Sequence, residues 1–131
     1  MYDLFEKTIC GGRIMIQVNN KNIVGNEKEK IVERCGRNEL LGSCSNLSMS
    51  EVQIKENTIT KKHYHTTFDE FYYVNEGEGI FVVDEKEYVF QQGDCIFIQK
   101  EEEHYIITKD KEVKFMVICT PAWDEKDMQY K

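Results

Sequence analysis

Proline is nearly missing from this chain: Pro121 is the only one among 131 residues. Proline cannot donate a ladder hydrogen bond, so a chain that all but excludes it is compatible with long β-ladders. Arginine is scarce as well. Arg13, Arg34 and Arg37 are the only three, and no basic cluster exceeds Lys61-Lys62. With a formal net charge of −7, the chain lacks the basic footprint that nucleic acid or an anionic membrane demands, and neither is an expected partner. No apolar run approaches the roughly 18–20 residues of a membrane span. The five cysteines (Cys10, Cys35, Cys44, Cys95, Cys119) are odd in number and show no C-x-x-C spacing. That argues against a disulfide framework and for a reducing compartment. Cys95 and Cys119 lie inside apolar strand patterns and are expected to be small buried core residues. Asp3 and Glu6 interrupt any positively charged leader and no apolar stretch follows, so no secretory signal is expected. The expected location is the cytoplasm.

Histidine is rare too, and its placement is the most informative feature here. His63, His65 and His104 are the only three. On a strand, residues two apart point to the same face, so His63 and His65 can reach one ion. Glu70 lies an odd number of residues past His65, and an unbroken strand would aim it the other way. A short turn through Thr66-Thr67-Phe68-Asp69 corrects the parity. The next strand then points Glu70, Tyr72 and Val74 inward, with Phe71 and Tyr73 on the opposite face. His104 must arrive from a third strand, which requires a closed or folded-over sheet.

From residue 45 onward, short alternating runs are punctuated by turn residues at the spacing of a sandwich or barrel. Expected strands are Leu47–Lys55, Thr58–His65, Glu70–Asn75, Gly79–Val83, Glu87–Gln91, Cys95–Gln99, His104–Thr108 and Val113–Cys119. The turns between them carry Gly, Asn and Asp, which supply the backbone angles that tight turns need. Earlier in the chain, Met1 to Ile9 reads as an amphipathic helical turn or an arm, Arg13–Val18 and Ile31–Cys35 as strands, and Gly36 to Asn46 as loop. One domain is expected: an arm with flanking strands over 1–44, a barrel core over 45–120, and a tail over 121–131 packing on the barrel.

From Lys61 to about Thr108 the chain resembles the cupin family. The first cupin motif reads Gly, five residues, His-x-His, three or four residues, Glu, six residues, Gly. His63, His65, Glu70 and Gly77 fit it, with Asn57 in place of the leading glycine. The second reads Gly, five residues, Pro-x-Gly, two residues, His, three residues, Asn. Gly93 and His104 fit, while Gln99-Lys100-Glu101 replaces Pro-x-Gly and Thr108 replaces Asn. The stretch Val117 to Asp124 is similar to the end of many small single-domain cupins, the mannose-6-phosphate-isomerase-like group among them. The resemblance implies an all-β, double-stranded β-helix (jelly-roll) barrel. It also implies His63, His65, Glu70 and His104 as ligands to one divalent transition metal.

Imidazole plus carboxylate without thiolate suits iron, manganese, nickel or zinc, and affinity order alone does not choose among them. Two functional classes follow. One is a metal-dependent enzyme acting on a small organic molecule (a sugar, keto acid or phenolic compound), for which the resemblance implies an isomerase, dioxygenase, decarboxylase or lyase type. The other is a non-catalytic binding or sensing module whose metal anchors a ligand. Tyr72 shares parity with Glu70, and these two are the expected catalytic groups. Lys61 shares parity with His63 and could meet an anionic group, although solvation at the barrel mouth is the plainer reading. Glu101-Glu102-Glu103 beside His104 reads as a solvated loop; if it rims the pocket, it would disfavour highly charged ligands. Outward Phe71 and Tyr73 call for cover, so a homodimer is expected. Trp123, Met128 and Tyr130 are expected to cover the outside of the barrel.

Overall fold

In the computed structural model, residues 2–9, 13–20, 22–36 and 46–131 are described. The expectation of loop over Gly36 to Asn46 therefore falls mostly outside the described residues. Strands β1 (Tyr2–Ile9) and β2 (Arg13–Asn20) pair as an antiparallel ribbon. They are followed by β3 (Asn22–Gly25), β4 (Glu29–Cys35), β5 (Ser48–Ile54), β6 (Asp69–Glu76) and β7 (Glu78–Val83). The series ends with β8 (Lys86–Gln91), β9 (Cys95–Ile98), β10 (His104–Thr108) and β11 (Val113–Thr120). A six-stranded sheet in the order β3-β4-β5-β11-β6-β9 faces a three-stranded sheet in the order β10-β7-β8. The fold is an all-β jelly roll.

Alternation builds the core between the sheets. On β11, Val113, Phe115, Val117 and Cys119 are buried while the residues between them are not. Their partners on β6 and β5 continue the same rows: Phe115 pairs with Val74 and Val52, and Cys119 with Glu70 and Ser48. From the facing sheet come Phe81, Phe90, Ile106 and His104. Phe81, Phe90, Phe115 and Tyr72 form a ring cluster with centroids 4.9–5.9 Å apart, the edge-to-face spacing that aromatic rings prefer.

The structure departs from the sequence expectation in two segments and one side chain, and adds the strand β3. Residues 2–9 form a strand, because a short segment leaves helix and strand unresolved by periodicity and the hairpin partner β2 decides. The stretch Thr58–His65 is not a ladder strand. It makes single bridges to three partners: Ile59 to Ile107, His63 to His104 and Tyr64 to Gln129. Threonine hydroxyls take the places of ladder groups there: Thr108 Oγ1 accepts from Thr58 N–H at 3.0 Å, and Thr60 Oγ1 from Ile106 N–H at 2.9 Å. Cys119 is buried as expected, but Cys95 is exposed. On β9 it is Ile96 and Ile98 that share the inward parity, so Cys95 and Phe97 look outward.

The motif's glycine positions take left-handed backbone angles in this chain whether or not the residue is glycine. Gly77 has φ +94, and a Cβ there would lie 2.6 Å from the Glu112 carbonyl oxygen, so only glycine fits. Asn57, standing where the motif has glycine, adopts φ 52. Glu101, at the glycine position of the second motif, adopts φ 69. Asparagine visits this region readily and glutamate does so at a cost. Thr108, in place of the motif asparagine, is buried and donates its hydroxyl to the Lys55 carbonyl at 2.6 Å.

Candidate metal centre

Four polar side chains converge at one end of the barrel. His63 and His65 come from the bridged segment before β6, Glu70 from β6 and His104 from the first position of β10. The candidate ligand atoms of these four residues all lie within 4.8 Å of one another. His65, Glu70 and His104 are buried and His63 is half-buried, so access runs past His63. The turn 66–68 corrects the parity, and Glu70, Tyr72 and Val74 are buried while Phe71 and Tyr73 are each 46% exposed.

Every imidazole meets a backbone carbonyl through Nδ1. His63 Nδ1 is 2.8 Å from the Lys61 oxygen, His104 Nδ1 is 2.9 Å from the Glu102 oxygen, and His65 Nδ1 is 2.8 Å from the Asp127 oxygen. A carbonyl only accepts, so each Nδ1 carries the proton and each Nε2 is left for the centre. Glu70 Oε1 lies 3.2 Å from His65 Nε2 and 3.0 Å from His104 Nε2. Yet Glu70 Oε1 and His104 Nε2 are buried without a hydrogen bond in acceptable geometry. Proximity without alignment is what two donors to a common ion display, and orphaned buried polar atoms otherwise carry a desolvation penalty. The three-imidazole, one-carboxylate set fits a divalent transition metal.

The other carboxylate oxygen is occupied by protein. Tyr72 O–H donates to Glu70 Oε2 at 3.3 Å, and Cys119 Sγ lies 3.8 Å from the same atom. Burial pushes the Tyr72 phenol well above its ordinary value, reinforced by the Glu70 charge. Burial pushes Cys119 up as well. For Glu70, burial favours the neutral acid, but the His104 and His65 rings beside it outweigh that and hold the carboxyl far below the usual range. Burial likewise works against a charge on His104, and Glu70 beside it prevails, raising its pKa. His63 goes the other way, down to about 4, through burial and the neighbouring His104.

Two contributors escaped the sequence reading. Asp127 lies in a short 3₁₀ turn (Glu125–Asp127) and accepts from the amides and hydroxyls of Thr66 and Thr67 at 2.6–2.8 Å. The only local hint was an acidic residue in an otherwise unpatterned tail. Glu29 opens β4 beside fully buried Ile54. Burial and then the Glu70 charge raise its pKa, which nothing in a lone glutamate at a strand start reveals. Lys61 is exposed, with its ammonium 3.9 Å over the Tyr130 ring, and that ring lies 6.5 Å from His63. Tyr130 therefore stands at the mouth. The three glutamates before His104 are tied into the structure: Glu101 N–H donates to the His65 oxygen, Glu102 holds His104, and Glu103 pairs with Lys62 at 3.6 Å.

A small jelly roll with an inward cluster of three histidines and a glutamate, a set that could hold a metal ion, defines the class. Residues 50–120 match the family described as Cupin domain, and the chain belongs to that family. An uncharacterized protein of Methanocaldococcus jannaschii is 32% identical over 84 residues, which are 63% of this chain. The chain spans 66% of that relative's length. Among solved structures, Pac13 of Streptomyces, described as a unique nucleoside dehydratase, has a TM-score of 0.70 at 12% identity, over 86% of this chain and 85% of that one. A predicted oxalate decarboxylase from Thermotoga maritima has a TM-score of 0.65 at 16% identity, over 79% and 93%. At such identities these likenesses show the fold alone. Among the described residues, no helix is long and apolar enough to cross a membrane.

Proposed function

We propose that this cupin is a metal-dependent enzyme acting on a small, weakly charged organic molecule, with one iron, manganese, nickel or zinc ion held by His63, His65, Glu70 and His104. The observation that carries this reading is the buried, outwardly braced donor set whose Glu70 Oε1 and His104 Nε2 have no aligned partner. When bound, the ion supplies Lewis acidity, polarising a substrate oxygen or lowering the pKa of water. Everything else is the work of the chain. Glu70 is both ligand and the negative charge of the site. Tyr72 acts through it, since the phenol donates to Oε2 and so fixes which oxygen faces inward. The ring cluster behind Tyr72 excludes water, and dry walls strengthen each electrostatic contact.

Charge supports the substrate class. At the mouth, Glu103 sits beside Lys62, and Lys61 lies over Tyr130, so among the described residues no cluster of free cations greets a polyanion. Nucleic acid and polyphosphates are correspondingly disfavoured. A sugar, keto acid, phenolic compound or uncharged nucleoside fits these limits, and fold likeness does not choose among them. The test is a small-molecule thermal-shift screen on metal-loaded protein, followed by product analysis. Glu70→Gln is expected to abolish turnover while the fold survives, a loss of at least about 100-fold, as when one charge-stabilising group is removed. Ligand affinity without product would instead mark a binding or sensing module. Tight binding of polyphosphates or nucleic acid, with no small uncharged or singly charged hit, would sink the substrate reading.

A homodimer is part of the same proposal. Phe71 and Phe97 stack at 4.5 Å on the outer face of β6 and β9, with Tyr73 beside them, and all three are nearly half exposed. Light scattering is expected to return twice the chain mass, and Phe71→Glu to shift it towards monomer by placing charge in the patch. A wild-type monomer at all concentrations would rule the dimer out.

A further inference from the structure

The three carbonyls that hold the imidazoles are not equivalent. His63 and His104 rest on carbonyls two residues upstream, those of Lys61 and Glu102. Their orientation therefore arrives with their own local backbone. His65 rests on the carbonyl of Asp127, 62 residues away in sequence.

We infer that Asp127 is a positioning residue for His65, and that the segment after β11 thereby sets the metal centre. The inference rests on the metal-binding reading above. Asp127 is 5% exposed. Its Oδ2 accepts from the backbone N–H groups of Thr66 and Thr67 at 2.8 Å each and from Thr67 Oγ1 at 2.6 Å. Its Oδ1 accepts from Thr66 Oγ1 at 2.7 Å and from Gln129 Nε2 at 3.3 Å. One side chain thus fixes the turn that reverses parity between His65 and Glu70, and at the same time fixes where its own carbonyl stands. Tyr64 and Gln129 exchange backbone hydrogen bonds at 3.0 Å in each direction, which anchors the same segment between the two histidines. Charge–dipole bonds to this many amides and hydroxyls are strong. A carbonyl bond at Nδ1 selects the tautomer with its lone pair on Nε2 and strengthens that nitrogen as a donor, and losing such support typically costs 10–100-fold in metal affinity.

The test compares wild type with Asp127→Ala in the full chain, using zinc alone as the probe. Chelator competition is expected to show a 10–100-fold weaker affinity in the variant, with an unchanged far-ultraviolet circular dichroism spectrum. In proton spectra of the zinc-loaded proteins, the His65 Nδ1–H resonance should be sharp in wild type. It should be lost to water exchange in Asp127→Ala, while those of His63 and His104 persist as internal references. A purely structural role for Asp127 would leave that selectivity out. Asp127→Ala retaining its affinity within about two-fold, with all three resonances unchanged, would overturn the inference while leaving the metal reading intact. Wild type taking up no zinc, iron, manganese or nickel would overturn the metal reading and this inference with it. Should Asp127→Ala fail to fold, Thr66→Val with Thr67→Val removes both hydroxyl donors and keeps Asp127, and the same two readouts decide.

Discussion

Replacing His104 with alanine is expected to take the protein from close to one transition-metal ion per chain to almost none. His104 is the most deeply buried of the four candidate ligands, at 1% exposure, and its Nε2 stands 3.0 Å from Glu70 Oε1 with no aligned partner. The substitution deletes one donor and leaves the Glu70 carboxylate buried beside an empty space. Supporting residues alone change metal affinity by 10–100-fold, so loss of a direct donor should exceed about 100-fold. Elemental analysis after dialysis against iron, manganese, nickel or zinc, followed by desalting, measures it. Equal metal content in wild type and variant, whether one or zero, would remove the site from consideration. The fold is expected to survive, because β10 keeps its register with β7 from Val83 to Gly79 through backbone bonds.

The largest effect on stability is expected from Phe81→Ala, at about 3–5 kcal/mol. Phe81 is fully buried and touches the rings of Tyr72, Phe90 and Phe115. Among the described residues the facing sheet has three strands, β10-β7-β8, and Phe81 stands on the central one, so little can collapse inward to fill the void. A loss of that size is a large share of the roughly 5–15 kcal/mol that a domain has in total. It also removes the wall behind Tyr72, and the phenol is then free to leave Glu70. Urea unfolding followed at several wavelengths gives the number. A midpoint within error of wild type would mean that the ring cluster is not the centre of the core.

Spacing made much of this molecule legible. His63, His65, Glu70 and His104 could be singled out because their separations encode strand parity, a property of two neighbouring segments at a time. Parity also placed Tyr72 inward and Phe71 outward. Hydrophobicity does not stand in for parity: Cys95 sits in an apolar run, yet its face is the outer one. Segment 58–65 looked like a strand because its alternation is real, while its hydrogen bonds go to threonine hydroxyls and to scattered partners. Asp127 and Glu29 were invisible for a different reason. Each gains its role from residues 40 or more positions away, such as Thr66 and Glu70, and no local pattern records such a meeting. The changed motif positions show the complementary case. Asn57 and Glu101 lack the motif's glycine but adopt the left-handed angle that glycine favours, which a letter-by-letter reading counts only as a departure.

The distant origin of the carbonyl behind His65 has a consequence for synthesis. A ribosome adding about 5–20 residues per second makes all four ligand residues before it reaches Asp127, 23 residues past His104. His65 is therefore made long before the carbonyl that braces it, and β11 is made in between. On the metal-binding reading, the donor set is complete in composition once His104 is made but complete in geometry only when residues 124–129 close onto the barrel.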